Sequence, residues 1–128
     1  MTTRFIIGRY YSRIEIADVV KGNLRWYLPT NERKVVAICL QKDQNPKAPN
    51  VVFCGFGKRI ETTGEWLSQE TKPLPVFVKE DVNRWKYCGQ FRVKSSCTKG
   101  PEFKREVAVA KNPASISRVV VLERAFRR

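Results

Sequence analysis

The alternation of apolar and polar residues divides the chain into short segments, most of which are typical of β-strands. Residues 34–41 form a continuous β-branched run, which predicts a central, buried strand. Residues 85–94 alternate, so that Trp85, Tyr87 and Phe91 share one face while charged side chains occupy the other. The remaining predicted strands lie at 51–58, 76–78, 105–110 and 117–123.

Two segments carry signals for short helices. Ser12 and Glu15 have the spacing of a capping box, apolar residues follow, and Gly22 is expected to end this first helix. Thr62 and Glu65 repeat the spacing, so a second helix is predicted to begin at Thr62. Strands therefore outnumber helices, which argues against a parallel βαβ architecture.

The pattern predicts an α+β fold that is mostly β: a mixed, curved sheet or partly open pseudo-barrel with two short helices. Residues 1–128 are expected to form a single domain with a core from about 4 to 124, since neither repeats nor a linker interrupt the pattern. No stretch approaches the roughly 18 apolar residues of a membrane span, and the N-terminus lacks the apolar region of a signal peptide. A cytoplasmic location without membrane contact is therefore expected.

The segment from Val51 to Lys58 is the strongest candidate for a binding site. A buried apolar run ends in Gly55-Phe56-Gly57 and is followed by Lys58 and Arg59. Glycines allow a sharp bend that brings backbone N–H groups close to a ligand, and a helix N-terminus beyond them favours anions. A tight turn without a ligand is the alternative interpretation.

Two further segments have the composition of a nucleic-acid contact. Arg25 precedes Trp26 and Tyr27, a pattern typical of a stacking platform with a phosphate contact, although aromatic residues equally often pack in a core. Residues 95–104 are polar and basic, contain Lys99, and are predicted to form a mobile loop that clamps phosphate.

The net charge of the chain is the strongest indication of the kind of partner that it binds. The 25 lysine and arginine residues exceed the 12 acidic residues, which gives a formal charge of +13. Such an excess indicates a polyanionic partner, most often nucleic acid, because basic residues neutralise phosphates and release counterions. An acidic protein partner, anionic lipid or simple solubility would also explain it.

Several enzyme classes are excluded because the chain contains no histidine. Ser-His and Cys-His nucleophile pairs, a histidine general base and an HNH nuclease site are all impossible without it. The cysteines at 39, 54, 88 and 97 form no C-x-x-C pair, so neither a metal site nor a cofactor is expected. A non-catalytic binding module is the better hypothesis.

The order of motifs resembles a known family. Tyr11-Ser12-Arg13-Ile14-Glu15-Ile16, Phe53-Cys54-Gly55-Phe56-Gly57, the Pro-Val-Phe-Val run at 75–78 and the alternating segment at 85–93 follow one another in that order. They resemble the SRA-like (YDG-type) domains of the PUA superfamily, which are found beside HNH nucleases in modification-dependent restriction systems. The resemblance implies a pseudo-barrel that binds DNA and accepts a flipped, modified base in an aromatic pocket. It also implies a nuclease partner acting in trans.

The resemblance also assigns individual residues of this chain to the binding site of the family. Phe53, Gly55, Phe56, Gly57 and Lys58 match the pocket loop, while Tyr11 and Arg13 match the helix entrance. Lys58-Arg59 stand where acidic and aromatic residues would be expected after the glycine loop. The predicted nucleic-acid-binding residues are Tyr11, Arg13, Arg25, Trp26, Tyr27, Phe53, Gly55, Phe56, Gly57, Lys58, Arg59 and Lys99.

The predicted function is a DNA reader that holds a flipped base in an aromatic pocket and contacts phosphates with basic side chains. Two alternatives remain open, an RNA-binding PUA-like module and a basic protein-interaction or inhibitor domain. Displacement of DNA by structured RNA would favour the RNA-binding module. An absence of nucleic-acid binding at low salt would favour the protein-interaction domain.

Overall fold

The structure is a computed structural model that describes residues 5–125. Arg4, where the predicted core begins, and residues 126–128 lie outside the described part of the chain. Within residues 5–125 no helix is long and apolar enough to cross a membrane.

A curved, nearly closed, barrel-like sheet dominates the structure. Its strands follow the spatial order β4-β6-β7-β8-β5, with β1 also paired to β7, while β2 and β3 form a separate hairpin. Only β4 and β6 pair in parallel; the other pairs of the large sheet are antiparallel. The strands are β1 (Tyr10–Tyr11), β2 (Thr30–Asn31), β3 (Lys34–Val35), β4 (Ile38–Gln41), β5 (Val51–Cys54), β6 (Leu74–Asp81), β7 (Arg84–Cys97) and β8 (Arg118–Arg124).

Three short α-helices accompany the sheet in the described residues: α1 (Arg13–Val20), α2 (Lys58–Ser68) and α3 (Pro101–Val107). A 3₁₀ turn spans Pro113–Ser115. The prediction of an α+β, mostly β pseudo-barrel with a mixed curved sheet is thus confirmed, with one helix more than the sequence pattern indicated.

Strand β7 is the longest element and organises the sheet. It pairs with β6, β8 and β1. Trp85, Tyr87 and Phe91 are buried as predicted, but the prediction that they share one face is wrong: Phe91 joins the main core, whereas Trp85 and Tyr87 pack in a second core. The change occurs where the register against β6 shifts, between the partners Gly89 and Tyr87, because an irregularity there interrupts the simple alternation.

Helix α1 begins as predicted. The Ser12 hydroxyl accepts a hydrogen bond from the Glu15 amide at 3.1 Å, and the Glu15 carboxylate accepts one from the Ser12 amide at 2.8 Å, which completes a capping box. The end was predicted wrongly: Lys21, with φ 61°, takes the left-handed position instead of Gly22. Gly22 serves packing, because a Cβ there would lie 2.8 Å from the Pro29 Cβ.

Helix α2 begins at Lys58, so its predicted start at Thr62 is wrong. Gly57 occupies the N-cap with φ 123° and ψ 142°, which turns the chain out of β5 directly into the helix. The Glu61 carboxylate then accepts a hydrogen bond from the Gly57 amide at 3.0 Å and supplies the capping contact. Gly64 allows close packing on β5, since a Cβ there would lie 3.0 Å from the Cys54 sulfur.

The predicted central strand at 34–41 is divided. Residues 34–35 and 38–41 belong to different sheets, and β4 is an edge strand paired only with β6. The division arises because backbone groups here bond to the preceding loop: the Val36 amide to the Pro29 carbonyl at 2.8 Å, and the Cys39 amide to the Tyr27 carbonyl at 2.7 Å. The prediction of burial is correct for residues 37–40.

Residues 95–110 also differ from the prediction. Residues 95–97 continue β7, and α3 replaces the end of the predicted mobile loop and the first half of the predicted strand at 105–110. Pro101 suits the first helical turn, and Phe103 and Val107, four residues apart, place their side chains on the same core cluster. Strand β8 matches the prediction of a strand at 117–123 within one residue.

Candidate functional site

An open cleft of about 630 Å³ lies against one side of the barrel. Its walls come from the loop at 22–29, the polar segment after β4, the passage from β5 into α2, and the segment at 110–116. We call this space the cleft. Segments distant in sequence thus form one concave surface.

Many of the predicted site residues converge on the cleft. Trp26 and Tyr27 are half-buried in its wall, Phe53 is buried with 7% of its surface exposed, and Arg59 is exposed. The Phe53 amide donates to the buried Asn45 carboxamide oxygen at 2.8 Å, which anchors the end of β5. The predicted residues that line the cleft are Arg25, Trp26, Tyr27, Phe53, Gly55 and Arg59.

Other predicted site residues lie elsewhere. The Tyr11 hydroxyl accepts a hydrogen bond from the Ile6 amide at 2.9 Å, and its ring packs edge-on against Phe5, so Tyr11 is part of the second core. Phe56 is 58% exposed and outside the cleft, and Gly57 serves the turn into α2. Lys99 lies in the exposed turn before α3 and does not line the cleft.

Arg13 has a structural role that supports the cleft indirectly. Its Nη2 donates to the Asn23 and Trp26 carbonyl oxygens, both at 2.9 Å, and its guanidinium lies 5.2 Å from the centre of the Trp85 ring. The side chain thereby holds the loop that presents Trp26. Arg13 is a positioning residue for the aromatic wall.

In the wall of the cleft, the half-buried Trp26 stacks against the exposed Arg59. The Arg59 guanidinium lies 4.4 Å from the centre of the Trp26 ring, a cation–π stack. Both residues also line a second cavity of about 450 Å³, which we call the hollow and which includes Lys58, Arg33 and Trp66. Trp26, Arg59 and Thr63 therefore line both the cleft and the hollow.

Tyr27 lines the cleft, but its hydroxyl is buried. The oxygen is buried and makes no hydrogen bond of good geometry, although Cys54 and Thr63 lie close enough to influence its pKa. Burial raises the pKa of Tyr27 well above its usual value of 10.0. The phenol therefore stays protonated near neutral pH, with its hydroxyl enclosed beside Cys54 and Thr63.

Polar residues that the sequence analysis did not select complete the cleft. Gln41 ends β4, Asp43 and Gln44 follow it, and Lys111 and Asn112 precede the 3₁₀ turn. The Asn-Pro pairs nearby, at 45–46 and 112–113, mark turns without indicating that the two segments meet. The cleft carries the cations Arg25, Arg59 and Lys111 against the single carboxylate of Asp43.

The cysteines take no part in a metal centre. All four are free thiols, and no three cysteine or carboxylate side chains in residues 5–125 lie close enough together to hold an ion. Burial raises the pKa of Cys39 to about 12 and also raises that of Cys54. Both thiols are therefore unreactive core residues.

Comparison with protein families matches residues 10–113 to a family described as "Domain of unknown function (DUF6697)". The chain belongs to this family. The match to DUF6697 extends from β1 to the start of the 3₁₀ turn and includes most of the cleft, with Ser115 and Ile116 just beyond it. Neither the curated proteins nor the solved structures include a significant match.

Proposed function

We propose that the chain is a non-catalytic nucleic-acid-binding module, a DNA reader whose cleft accepts one flipped base. The observation that carries this proposal is the convergence of Trp26, Tyr27 and Phe53 with a surplus of cations on one open cleft. Its volume, about 630 Å³, falls in the range of roughly 300–1,000 Å³ that is usual for small-molecule sites.

The chemistry of the walls suits a nucleotide. The indole of Trp26 offers a stacking surface, while the Gln44 and Asn112 carboxamides offer donors and acceptors for a base edge. Arg25 and Lys111 are exposed at the cleft and suit phosphate contacts. Stacking and edge contacts together must offset the few kcal/mol that base flipping costs.

The composition of the chain and the protonation of Tyr27 favour binding without catalysis. The chain has no histidine, and the raised pKa of Tyr27 prevents its phenol from acting as a base near neutral pH. Reading of a modified base and a nuclease acting in trans belong to this proposal through the resemblance to SRA-like domains. A cytoplasmic location belongs to it through the expectation drawn from the sequence.

The test is a titration with duplexes that differ only in one modified base, at two salt concentrations. We expect tighter binding of the modified duplex, with the preference reduced in Gln44→Ala or Asn112→Ala and retained in Lys99→Ala. Equal affinity for both duplexes would contradict the reader proposal and leave general DNA binding. Displacement of DNA by structured RNA would favour the RNA-binding alternative, and an absence of binding at low salt the protein-interaction alternative.

A further inference from the structure

The hollow shares Trp26, Arg59 and Thr63 with the cleft. It is walled by Trp26, Trp66 and Arg59, with Arg33 and Lys58 beside them. Trp66 is half-buried on α2, and Lys58 and Arg33 are exposed. Trp66, Arg33 and Lys58 do not line the cleft and have no part in the base contacts of the proposed function.

The charge of the hollow indicates what would occupy it. Its lining includes the cations Arg33, Lys58 and Arg59 and no carboxylate, while the rest of the lining is formed by indole rings and threonines. An occupant must therefore combine a flat apolar ring with negative charge. A nucleotide has this combination, because its base stacks on aromatic side chains while its phosphate pairs with cations.

The cleft and the hollow are adjacent because they share lining residues. Trp26 and Arg59 line both, and the Arg59 guanidinium lies 4.4 Å from the centre of the Trp26 ring. Two consecutive bases of one strand could then contact the same stacked pair, one from each cavity. A base and a guanidinium plane stack as readily as two aromatic groups do.

We propose that the hollow binds the nucleotide adjacent to the one in the cleft, so that two neighbouring bases contact the Trp26–Arg59 stack, one from each cavity. This inference rests on the proposed function. It assigns the ligand class as a strand in which two consecutive bases are unpaired. Single strands and duplexes with two adjacent mismatches satisfy this requirement more readily than a fully paired duplex, because fewer pairs must be broken.

The experiment compares small ligands by calorimetry. The probes are the 5′-monophosphates of the four deoxynucleosides, their 3′,5′-bisphosphates, and the 5′-phosphorylated dinucleotides with two identical bases. The bisphosphate carries the second phosphate without the second base. For the preferred base we expect the dinucleotide to bind about tenfold or more tighter than the bisphosphate, as a stacked base would give.

Two variants, one within α2 and one at its C-cap, provide the matched comparison. Thr62→Trp fills the hollow from a residue that lines it and does not line the cleft, whereas Gln69→Trp adds the same indole at an exposed position away from both. We expect Thr62→Trp to abolish the advantage of the dinucleotide while leaving monophosphate affinity unchanged. Gln69→Trp should retain the advantage.

A second measurement uses duplexes with one mismatch or two adjacent mismatches. We expect the duplex with two mismatches to bind more tightly, and this difference to disappear in Thr62→Trp. Equal binding of dinucleotide and bisphosphate, or an advantage that survives Thr62→Trp, would overturn the inference and leave the proposed function standing. If no mononucleotide, dinucleotide or duplex binds, the inference and the proposed function are both overturned.

Discussion

At the scale of single residues, the Trp26 indole is held in place through the backbone around it. Arg13 donates to the Trp26 carbonyl at 2.9 Å, and the Tyr27 carbonyl accepts from the Cys39 amide at 2.7 Å. The ring itself contributes little to this support, since it is half-buried and stacked on the exposed Arg59. Removal of the ring should therefore affect ligand binding more than folding.

We expect Trp26→Ala to weaken base-selective binding by about 1–3 kcal/mol, the usual contribution of one stacked base. Thermal unfolding should show that the variant remains folded, and DNA titration should show the loss. Arg59→Lys is the companion variant, because it retains the charge and removes the planar partner of the ring. Unchanged affinity in folded Trp26→Ala would show that the indole has only a packing role.

The buried thiol of Cys39 predicts a dependence of stability on pH. Burial raises its pKa from 9.0 to about 12, so between these values the thiol ionises in the unfolded chain while it stays protonated in the folded chain. The folded state then binds more protons, and the free energy of unfolding should fall by up to about 1.4 kcal/mol per pH unit through this window. Below pH 9 the thiol is protonated in both states and contributes no slope.

Urea unfolding at several pH values between 8 and 11 measures this slope. Cys39→Ala removes the group, so the decrease in stability with pH should be shallower in the variant. Lysines and tyrosines titrate equally in both proteins and cancel in the comparison. The same slope in both proteins would show that Cys39 does not contribute.

At the scale of elements, the passage from β5 into α2 depends on one backbone conformation. Gly57 has φ 123° and ψ 142°, close to a region that is essentially restricted to glycine, whereas Gly55 has no positive φ and would place a Cβ 3.7 Å from the Ser115 carbonyl oxygen, an ordinary contact. The two glycines of the motif thus have different requirements. Only Gly57 is required by its conformation.

Gly57→Ala should therefore destabilise the fold by about 1–3 kcal/mol, the usual cost of a residue in a sparsely populated region. Gly55→Ala, two positions away in the same loop, should stay within about 1 kcal/mol of the parent protein. Chemical denaturation of the three proteins gives the comparison. Similar losses in both variants would indicate that the loop is sensitive to volume and not to φ.

The sequence predicted those elements whose signals are local. The capping box of Ser12 and Glu15 and the buried residues of β5 depend on neighbours within a few positions, and both are correct. The single buried face predicted along β7 is wrong because the register against β6 shifts within the strand, which the alternation alone does not reveal. The start of α2 was missed because Gly57, and not a polar side chain, sets it. The division of 34–41 was missed because it arises from hydrogen bonds to the loop at 22–29.

The difference between local signals and contacts made by the fold also explains which residues of the candidate site were predicted. The wall formed by Arg25, Trp26, Tyr27, Phe53 and Arg59 was found because aromatic and basic residues stand together in the chain. Gln44 and Asn112 were missed because the fold alone brings their loops together across the cleft. Tyr11 and Arg13 were assigned to the site by family resemblance, whereas they pack in the second core and against the loop at 22–29.

At the scale of the whole molecule, the charge of +13 creates a general attraction for polyanions that does not depend on the cleft. A simple loss of affinity after removal of any one lysine is therefore uninformative about the site. The dependence of affinity on salt is more specific, because its slope counts the phosphates that are neutralised at contact distance. Lys111 and Lys99 allow this comparison, since both are exposed and only Lys111 lines the cleft.

We expect a plot of log affinity against log salt for a DNA duplex to have a slope of about −0.9 per phosphate contact. Lys111→Ala should make this slope shallower by about one contact, because the side chain lies at the mouth where the backbone of a flipped nucleotide would pass. Lys99→Ala removes the same charge and should leave the slope unchanged, since its turn lies outside both cavities. Equal slope changes in the two variants would show that DNA contacts the basic surface without a preferred orientation at the cleft.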